Sequence, residues 1–318
     1  MKAPFPWVGG KGKLLWIIDE LAPYSYDCFV DVFGGSGTVL LNRPLKAGRP
    51  EIYNDRDSNL TNFMRTLRHR PLALLAELGF LPIHSREDFI LLCKFLDHKE
   101  DYETFEDEEL ALADLFFPPI AARIIKRLIL RHSTQTSVYR AAAFYKRQRW
   151  SFNGIGDTVA AEPINLKNFF SQIRHCARRF QDVFIENMDF EPLIRSRDRK
   201  GVFFYCDPPY YEAEKYYAGS FTEDDHRRLH DVLSKARGFV MISYNDCPFI
   251  RELYRDFYIF SFERQDSLSQ KKGKKYGELI MTNYDPSACG TQITMAAQTN
   301  RYKTENIPNL SIITEERT

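Results

Sequence analysis

The apolar positions of the chain change period along its length. "CFVDVF" (28–33), a largely apolar run, predicts a strand, and "EIYND" (51–55) a second, short one. Between them, "SGTVLLNRPLKAG" (36–48) has helical spacing and stops at a glycine. From about Leu60 to Asn165 the apolar residues recur three and four apart, with no convincing strand. Leu60 to Leu78, Glu87 to Leu96 and Ala121 to Leu130 are the clearest helices there, and an amphipathic helix follows at 167–180. Strands resume with "DVFIENM" (182–188), "GVFFYCD" (201–207), "GFVMISYND" (238–246), "FYIFSFE" (257–263) and "ELIMTNY" (278–284). Helical segments at 190–197, 222–236 and 248–256 separate most of them, and Thr222 with Asp225 forms a capping-box start for the middle one. A lysine-glycine loop joins the last two strands, which predicts an antiparallel hairpin.

Seven strands mostly separated by helices predict an α/β fold, a doubly wound sheet interrupted after its second strand. The expected partition is a catalytic domain of residues 1–59 and 166–285, a mainly helical insert over 60–165, and a polar, patternless tail over 286–318. Lys2 to Trp7 contains two prolines and is expected to be extended. No internal repeat is present.

Composition excludes several classes. No apolar run approaches the ~20 residues of a membrane span, so no membrane partner is expected. The N-terminus lacks an apolar signal core. The six cysteines are scattered without a C-x-x-C pair, which argues against zinc and against a disulfide framework. Together these predict a reduced, cytoplasmic setting and no metal. The net charge of +1 hides a strong asymmetry. Leu115 to Gly156 holds eight Lys or Arg residues and no acid, immediately after the acidic "DHKEDYETFEDEE" (97–109). A second basic cluster, "QKKGKKYG", covers 270–277. Either cluster alone reads as a solvated face, but two beside one candidate site point to nucleic acid.

That site has two parts. In "DVFGGSGTVL" a strand gives way to Gly34, Gly35, Ser36 and Gly37, which let a ligand approach the backbone. Asp55 ends the next strand, at the distance where an acid accepts ribose hydroxyls. G-x-G-x-x-G is absent, which disfavours a nicotinamide oxidoreductase. The F-x-G-x-G spacing of Phe33, Gly35 and Gly37 suits an adenosyl group without a pyrophosphate. The second part is "DPPY" after the strand 201–207. Two prolines end the ladder and leave carbonyls without internal partners, beside the Asp207 carboxylate and the Tyr210 ring. Two acceptors and an aromatic face suit a flat ring bearing an exocyclic amine. Asp207 and the Pro208 carbonyl would take both N–H bonds and free the amine lone pair, and Tyr210 would stack on the ring.

These residues resemble the Dam-type DNA adenine methyltransferases over roughly residues 5–284. "PWVGGKGKLL", "FGGSG", "YNDRDSNL", "NMDF" (187–190), "DPPY" and "SFTEDDHRRL" (220–229) each look like a family segment, in the order of the family's α group. The resemblance implies a class I S-adenosylmethionine-dependent sheet with a helical target-recognition insert. It implies Trp7, Lys11, Phe33, Gly35, Gly37, Asp55, Asp189, Phe190 and Asp207 as the cofactor-binding set, with Asp55 on the ribose and "NMDF" on the adenine. The implied catalytic residues are Asp207, Pro208 and Tyr210. "FYKRQRWSFNGIG" (144–156) sits where the DNA-contacting segment belongs, so Arg140, Lys146, Arg147, Arg149, Ser151 and Asn153, with Lys271, Lys272 and Lys274, are the expected contacts to double-stranded DNA.

The implied reaction is methyl transfer from S-adenosylmethionine to the amino group of a flipped-out adenine in the cytoplasm of a bacterial or phage-infected cell. Two alternatives stand beside it: a catalytically silent DNA-binding protein on the same fold, and an amino-methyltransferase acting on cytosine. The chain has no Pro-Cys pair, which excludes carbon-5 cytosine chemistry, and Asp before the prolines favours adenine over cytosine or protein glutamine. The oligomeric state is open, with a monomer as one candidate. A cognate restriction endonuclease is a candidate partner, with a solitary regulator and a phage enzyme as equal settings; the target sequence is not legible. His226 and His230 are assigned to surface or packing roles, as are His175 and Cys176.

Overall fold

A computed structural model describes residues 1–7, 9–80, 86–97, 110–133, 137–151, 166–211, 221–265, 275–287 and 313–314. The chain forms two compact units. One comprises Met1, Gly9–Arg56 and Asp182–Thr318, the other Lys2–Val8 and Asp57–Gln181. Among the described residues no helix is long and apolar enough to cross a membrane.

The first unit is a mixed sheet. Its strands are β1 (Cys28–Asp31), β2 (Glu51–Asn54), β3 (Val183–Glu186), β4 (Val202–Cys206), β5 (Phe239–Asn245), β6 (Tyr258–Gln265), β7 (Lys275–Thr282) and the two-residue β8 (Ile313–Thr314). Their order is β3-β2-β1-β4-β5-β7-β6-β8. The five strands from β3 to β5 are parallel, and β7 enters antiparallel between β5 and β6. The seven expected strands, the doubly wound order and the final hairpin are all present. β8 adds a short piece of the tail to the edge of β6, pairing Ser261 with Ile313, which the polar composition of that tail did not announce. β1, β2 and β4 are buried throughout, as their central position in a parallel sheet requires. Helices α1 (Leu15–Leu21), α2 (Thr38–Asn42), α9 (Phe190–Arg197), α10 (Glu223–Leu233) and α11 (Pro248–Leu253) belong to the same unit. The capping box on α10 forms in both directions between Thr222 and Asp225. α2 is much shorter than its apolar spacing predicts. Arg43, the residue before Pro44, is forced to an extended conformation (φ −68°, ψ 139°), and the helix ends there.

The second unit is helical: α3 (Ser58–His69), α4 (Pro71–Phe80), α5 (Arg86–Asp97), α6 (Pro119–Ser133), α7 (Val138–Trp150) and α8 (Leu166–Arg179). The single helix expected over Leu60 to Leu78 is two, broken at Arg70 (φ −137°, ψ 48°) before Pro71. α7 was not among the clearest helices in the sequence, yet it is the centre of this unit. Ala141, Ala142, Ala143, Phe144 and Tyr145 are all buried, and α3, α4 and α5 pack on it. The unit is larger than the insert expected over 60–165. α8 joins it because Ile173 and Cys176 on the helix, and Phe180 just after it, are fully buried, and the helix packs against α3 and α4.

Candidate active site

In the parallel part of the sheet the chain runs outward from β1 to β2 and β3, then returns to place β4 on the other side of β1. That reversal makes the β1/β4 boundary the switch point at which open α/β sheets bind ligands. The strand ends there carry three acids: Asp31 closes β1, Asp55 follows β2 and Asp207 follows β4. Asp31 lies in register between Tyr53 and Tyr205. It is buried, and that burial, then the neighbouring Asp207 and Asp55 carboxylates, pushes its carboxyl well above the usual range.

The glycine loop is built against β2. Gly35 (φ 49°) and Gly37 (φ 72°) occupy the left-handed region that favours glycine. Gly34 is required for a different reason. A Cβ there would lie 2.2 Å from Cε2 of Tyr53, whose hydroxyl donates to the Gly35 carbonyl at 2.6 Å. The Gly35 amide donates to Asp55 Oδ2 at 3.0 Å, tying the loop to the acid of the next strand. Phe33 leaves β1 and packs beside Phe190 and Phe221, with ring centroids 5.7 and 5.9 Å away. Asp189 caps α9 by accepting from the Glu191 amide, and Arg228 of α10 grips both its carboxylate oxygens at 2.9 and 3.0 Å while lying 4.2 Å over the Phe190 ring.

Asp207 is held on one side. Its Oδ1 accepts from Lys11 Nζ at 2.7 Å and from Ser243 Oγ at 2.9 Å. Oδ2 makes no hydrogen bond among the described residues, and the side chain is 21% exposed. Lys11 is itself buried; it donates to the Gly9 carbonyl at 2.8 Å and stands 4.8 Å over the Tyr210 ring. The Tyr210 hydroxyl donates to Glu278 Oε1 at 3.1 Å. A glycine cradle, an acid on the next strand and a half-fastened carboxylate before two prolines therefore meet at one edge. The description of D12 class N6 adenine-specific DNA methyltransferases matches residues 7–268.

The chain belongs to that family.

Curated relatives agree. The chain is 28% identical over 302 residues to the Type II methyltransferase M1.LlaDCHI of Lactococcus lactis subsp. cremoris, covering 87% of this chain and 94% of that one. It is 25% identical over 294 residues to the DNA adenine methylase of Haemophilus influenzae, covering 86% and 91%. It is 26% identical over 221 residues to the modification methylase StsI of Streptococcus sanguinis, covering 66% of this chain and 29% of that much longer protein. As a D12 class member the chain is an adenine-specific DNA methyltransferase, and DNA is its substrate.

The sheet unit of this methyltransferase contains Lys11, Phe33, Gly35, Gly37, Asp55, Asp189, Phe190, Asp207, Pro208 and Tyr210. Trp7 belongs to the helical unit, edge-on to Phe5 at 5.8 Å. The residues expected on DNA divide. Arg140 is buried, its guanidinium donating to Asn59 Oδ1 and to the Leu96 carbonyl. Lys146 is buried, and that burial lowers its ammonium pKa, with Glu77 opposing the shift. Ser151 is buried and donates to the Gln148 carbonyl. These three turn into the helical unit, whereas Arg147 and Arg149 are only partly buried. Asn153, Lys271, Lys272 and Lys274 lie outside the described residues.

Three neighbours of the site were missed in the sequence. Asp31 sits in "FVDVF", where an acid inside an apolar strand was itself a signal. Ser243 and Glu278 lie inside apolar strands that gave no local hint of the site. Glu278 reaches it because β7 runs antiparallel and brings its beginning to the carboxyl ends of the parallel strands. His226 is fully buried, its Nδ1 2.6 Å from the Tyr244 hydroxyl, and His230 lies 2.9 Å from Asp256.

Proposed function

We propose that this methyltransferase binds S-adenosylmethionine at the β1/β4 switch point and an adenine, flipped from duplex DNA, against "DPPY". The observation that carries the reading is the half-fastened Asp207: Oδ1 is held by Lys11 and Ser243, while Oδ2 is open. The residues present fit the cofactor. Gly35 and Gly37 form a turn that larger residues would strain, and Asp55 lies at ribose distance along the chain. Phe33 and Phe190 supply apolar surface for its adenine. Asp189 acts on that pocket through α9, since both its oxygens are engaged by Arg228.

When bound, S-adenosylmethionine supplies an electrophilic sulfonium methyl. The chain supplies position. Asp207 Oδ2 and the Pro208 carbonyl accept the two amine N–H bonds, which favours the pyramidal nitrogen whose lone pair attacks in line. As the nitrogen takes the methyl group, the methyl–sulfur bond would break and S-adenosylhomocysteine would leave with the electron pair on sulfur; Asp207 Oδ2 would take the excess proton from the cationic nitrogen and pass it to solvent. Tyr210 orients the base from a ring fixed by Glu278, and stacking contributes about 1–3 kcal/mol toward the cost of flipping. Arg147 and Arg149, with the lysines of 271–274, track phosphates. Restriction-modification is the setting favoured by relatives named type II methyltransferase and modification methylase, and a monomer suffices for the chemistry.

The test is labelled-methyl transfer to unmethylated DNA by Asp207→Ala, with cofactor binding and circular dichroism on the same sample. Transfer should fall by at least ~10²–10³-fold with the fold retained. A folded Asp207→Ala protein methylating at the normal rate overturns the mechanism, and methyl groups recovered on cytosine overturn the acceptor.

A further inference from the structure

We infer that Ser243, on β5, is a positioning residue for methyl transfer: its hydroxyl orients the Asp207 carboxylate so that Oδ1 belongs to the protein and Oδ2 to the adenine amine. The inference rests on the reading of Asp207 as the amine acceptor.

Ser243 is 1% exposed in a strand whose other buried members are Val240, Met241, Ile242 and Tyr244. A hydroxyl in such a place destabilises the sheet unless it is hydrogen-bonded. Register supplies the partner. Cys206 pairs with Ile242 across the parallel β4–β5 ladder, so the next residues, Asp207 and Ser243, lie side by side. Tyr205 pairs with Met241, two residues before Ser243, which puts Tyr205, Asp207 and Ser243 on one face. A slip of one residue would turn the hydroxyl to the opposite face.

The direction of the hydrogen bonds follows from the donors available. A carboxylate can only accept, so Ser243 donates to Asp207 Oδ1 at 2.9 Å. Its alternative acceptor, the Cys206 carbonyl, is farther away at 3.4 Å. The Ser243 proton being committed, the Tyr205 hydroxyl, 3.2 Å away, donates to Ser243 Oγ. Burial holds the Tyr205 phenol well above its usual pKa, so that donor stays protonated. The result is a one-way chain, Tyr205 to Ser243 to Asp207, rooted in two central strands.

Lys11 cannot do this alone. Its ammonium is a point charge on a flexible stem, shared with the Gly9 carbonyl, and it attracts the carboxylate without fixing its rotation. Ser243 has a short side chain on a strand paired on both sides, with β4 and β7. It sets the carboxylate plane and hence the position of Oδ2. A misplacement of ~1 Å in such a site costs ~10²-fold in rate.

The test compares Ser243→Ala, Ser243→Thr and Tyr205→Phe in single-turnover methylation, with separate equilibrium measurements of S-adenosylmethionine and DNA binding and with thermal unfolding. Ser243→Ala should slow the methyl-transfer step ~10–100-fold while both dissociation constants stay within about twofold. Ser243→Thr, which keeps the hydroxyl, should recover most of the rate. Tyr205→Phe keeps the ring and should give a smaller loss in the same step. A Ser243→Ala protein at the normal rate while Asp207→Ala is dead overturns the Ser243 inference alone. Full activity in Asp207→Ala removes the reading beneath it. Parallel losses of rate, both affinities and melting temperature in Ser243→Ala and Tyr205→Phe would mean ordinary structural damage and also overturn it.

Discussion

Gly34 offers the sharpest test of how the cofactor loop is built. It is the second residue of "FGGSG" and is not a glycine that the F-x-G-x-G spacing demands. Its φ is not among the positive values of this chain, so Gly34→Ala strains no dihedral angle. The obstacle is the Tyr53 ring, with three carbons 2.2, 2.5 and 2.7 Å from the added Cβ. Ordinary contact begins at 3.4 Å, so the nearest ring carbon must retreat by 1.2 Å (3.4 minus 2.2). Tyr53 is fully buried and anchored to the Gly35 carbonyl, so the ring has no free direction. Overpacking of this kind costs about 1–3 kcal/mol. Losing the Tyr53–Gly35 hydrogen bond as the ring shifts adds about 1–3 kcal/mol. Together these come to about 2–6 kcal/mol and predict a fall of roughly 4–24 °C in melting temperature, at about 2–4 °C per kcal/mol for a unit of this size. S-adenosylmethionine affinity should fall as well, because the displaced carbonyl belongs to the loop that would receive it. Calorimetry for stability and titration of the cofactor measure both. An unchanged melting temperature and affinity would refute the packing argument, and recovery in Gly34→Ala/Tyr53→Leu, which clears the ring, would identify Tyr53 as the cause.

Asp31→Asn tests the electrostatics of the strand ends. The folded protein raises the Asp31 pKa, so it binds more protons than the unfolded chain above about pH 4, and stability drains away as pH rises through that window. The neutral variant should therefore melt at the same temperature as the parent near pH 4 and at a higher one near pH 8; no gain at pH 8 would refute the assignment. On the helical unit, Arg147→Ala/Arg149→Ala should lower the slope of log affinity for DNA against log salt by about 0.9 per lost phosphate contact. Arg140→Ala should instead lower the melting temperature with little change in slope, since its guanidinium joins α3 and α5; the reverse pattern would return Arg140 to the DNA surface.

Much of the site is legible because it is local. Glycines that a turn demands, an acid ending a strand and prolines stopping a ladder are all properties of neighbours in sequence, and Gly35, Gly37, Asp55 and Asp207 stand where those signals put them. The α10 cap is local for the same reason, since Thr222 and Asp225 bond each other's backbone. Side-chain direction on a helix is not. Arg140 and Lys146 share α7 with Arg147 and Arg149, and a basic window looks alike on every face. Only the packing of α3, α4 and α5 decides which charges are turned inward.

The sequence by itself determined the order of strands and helices, the glycine loop and the "DPPY" terminus, because backbone geometry and hydrophobic period act over a few residues. Only the tertiary structure decided what surrounds Asp207. Lys11 comes from the beginning of the chain, where only the resemblance of its segment marked it, Ser243 from β5 and Glu278 from an antiparallel β7, where nothing in their own segments marks them. Their roles arise from register and strand direction, which depend on pairings between residues far apart in the chain. The same holds for Gly34, whose need for hydrogen in place of a methyl group is set by a tyrosine on the neighbouring strand.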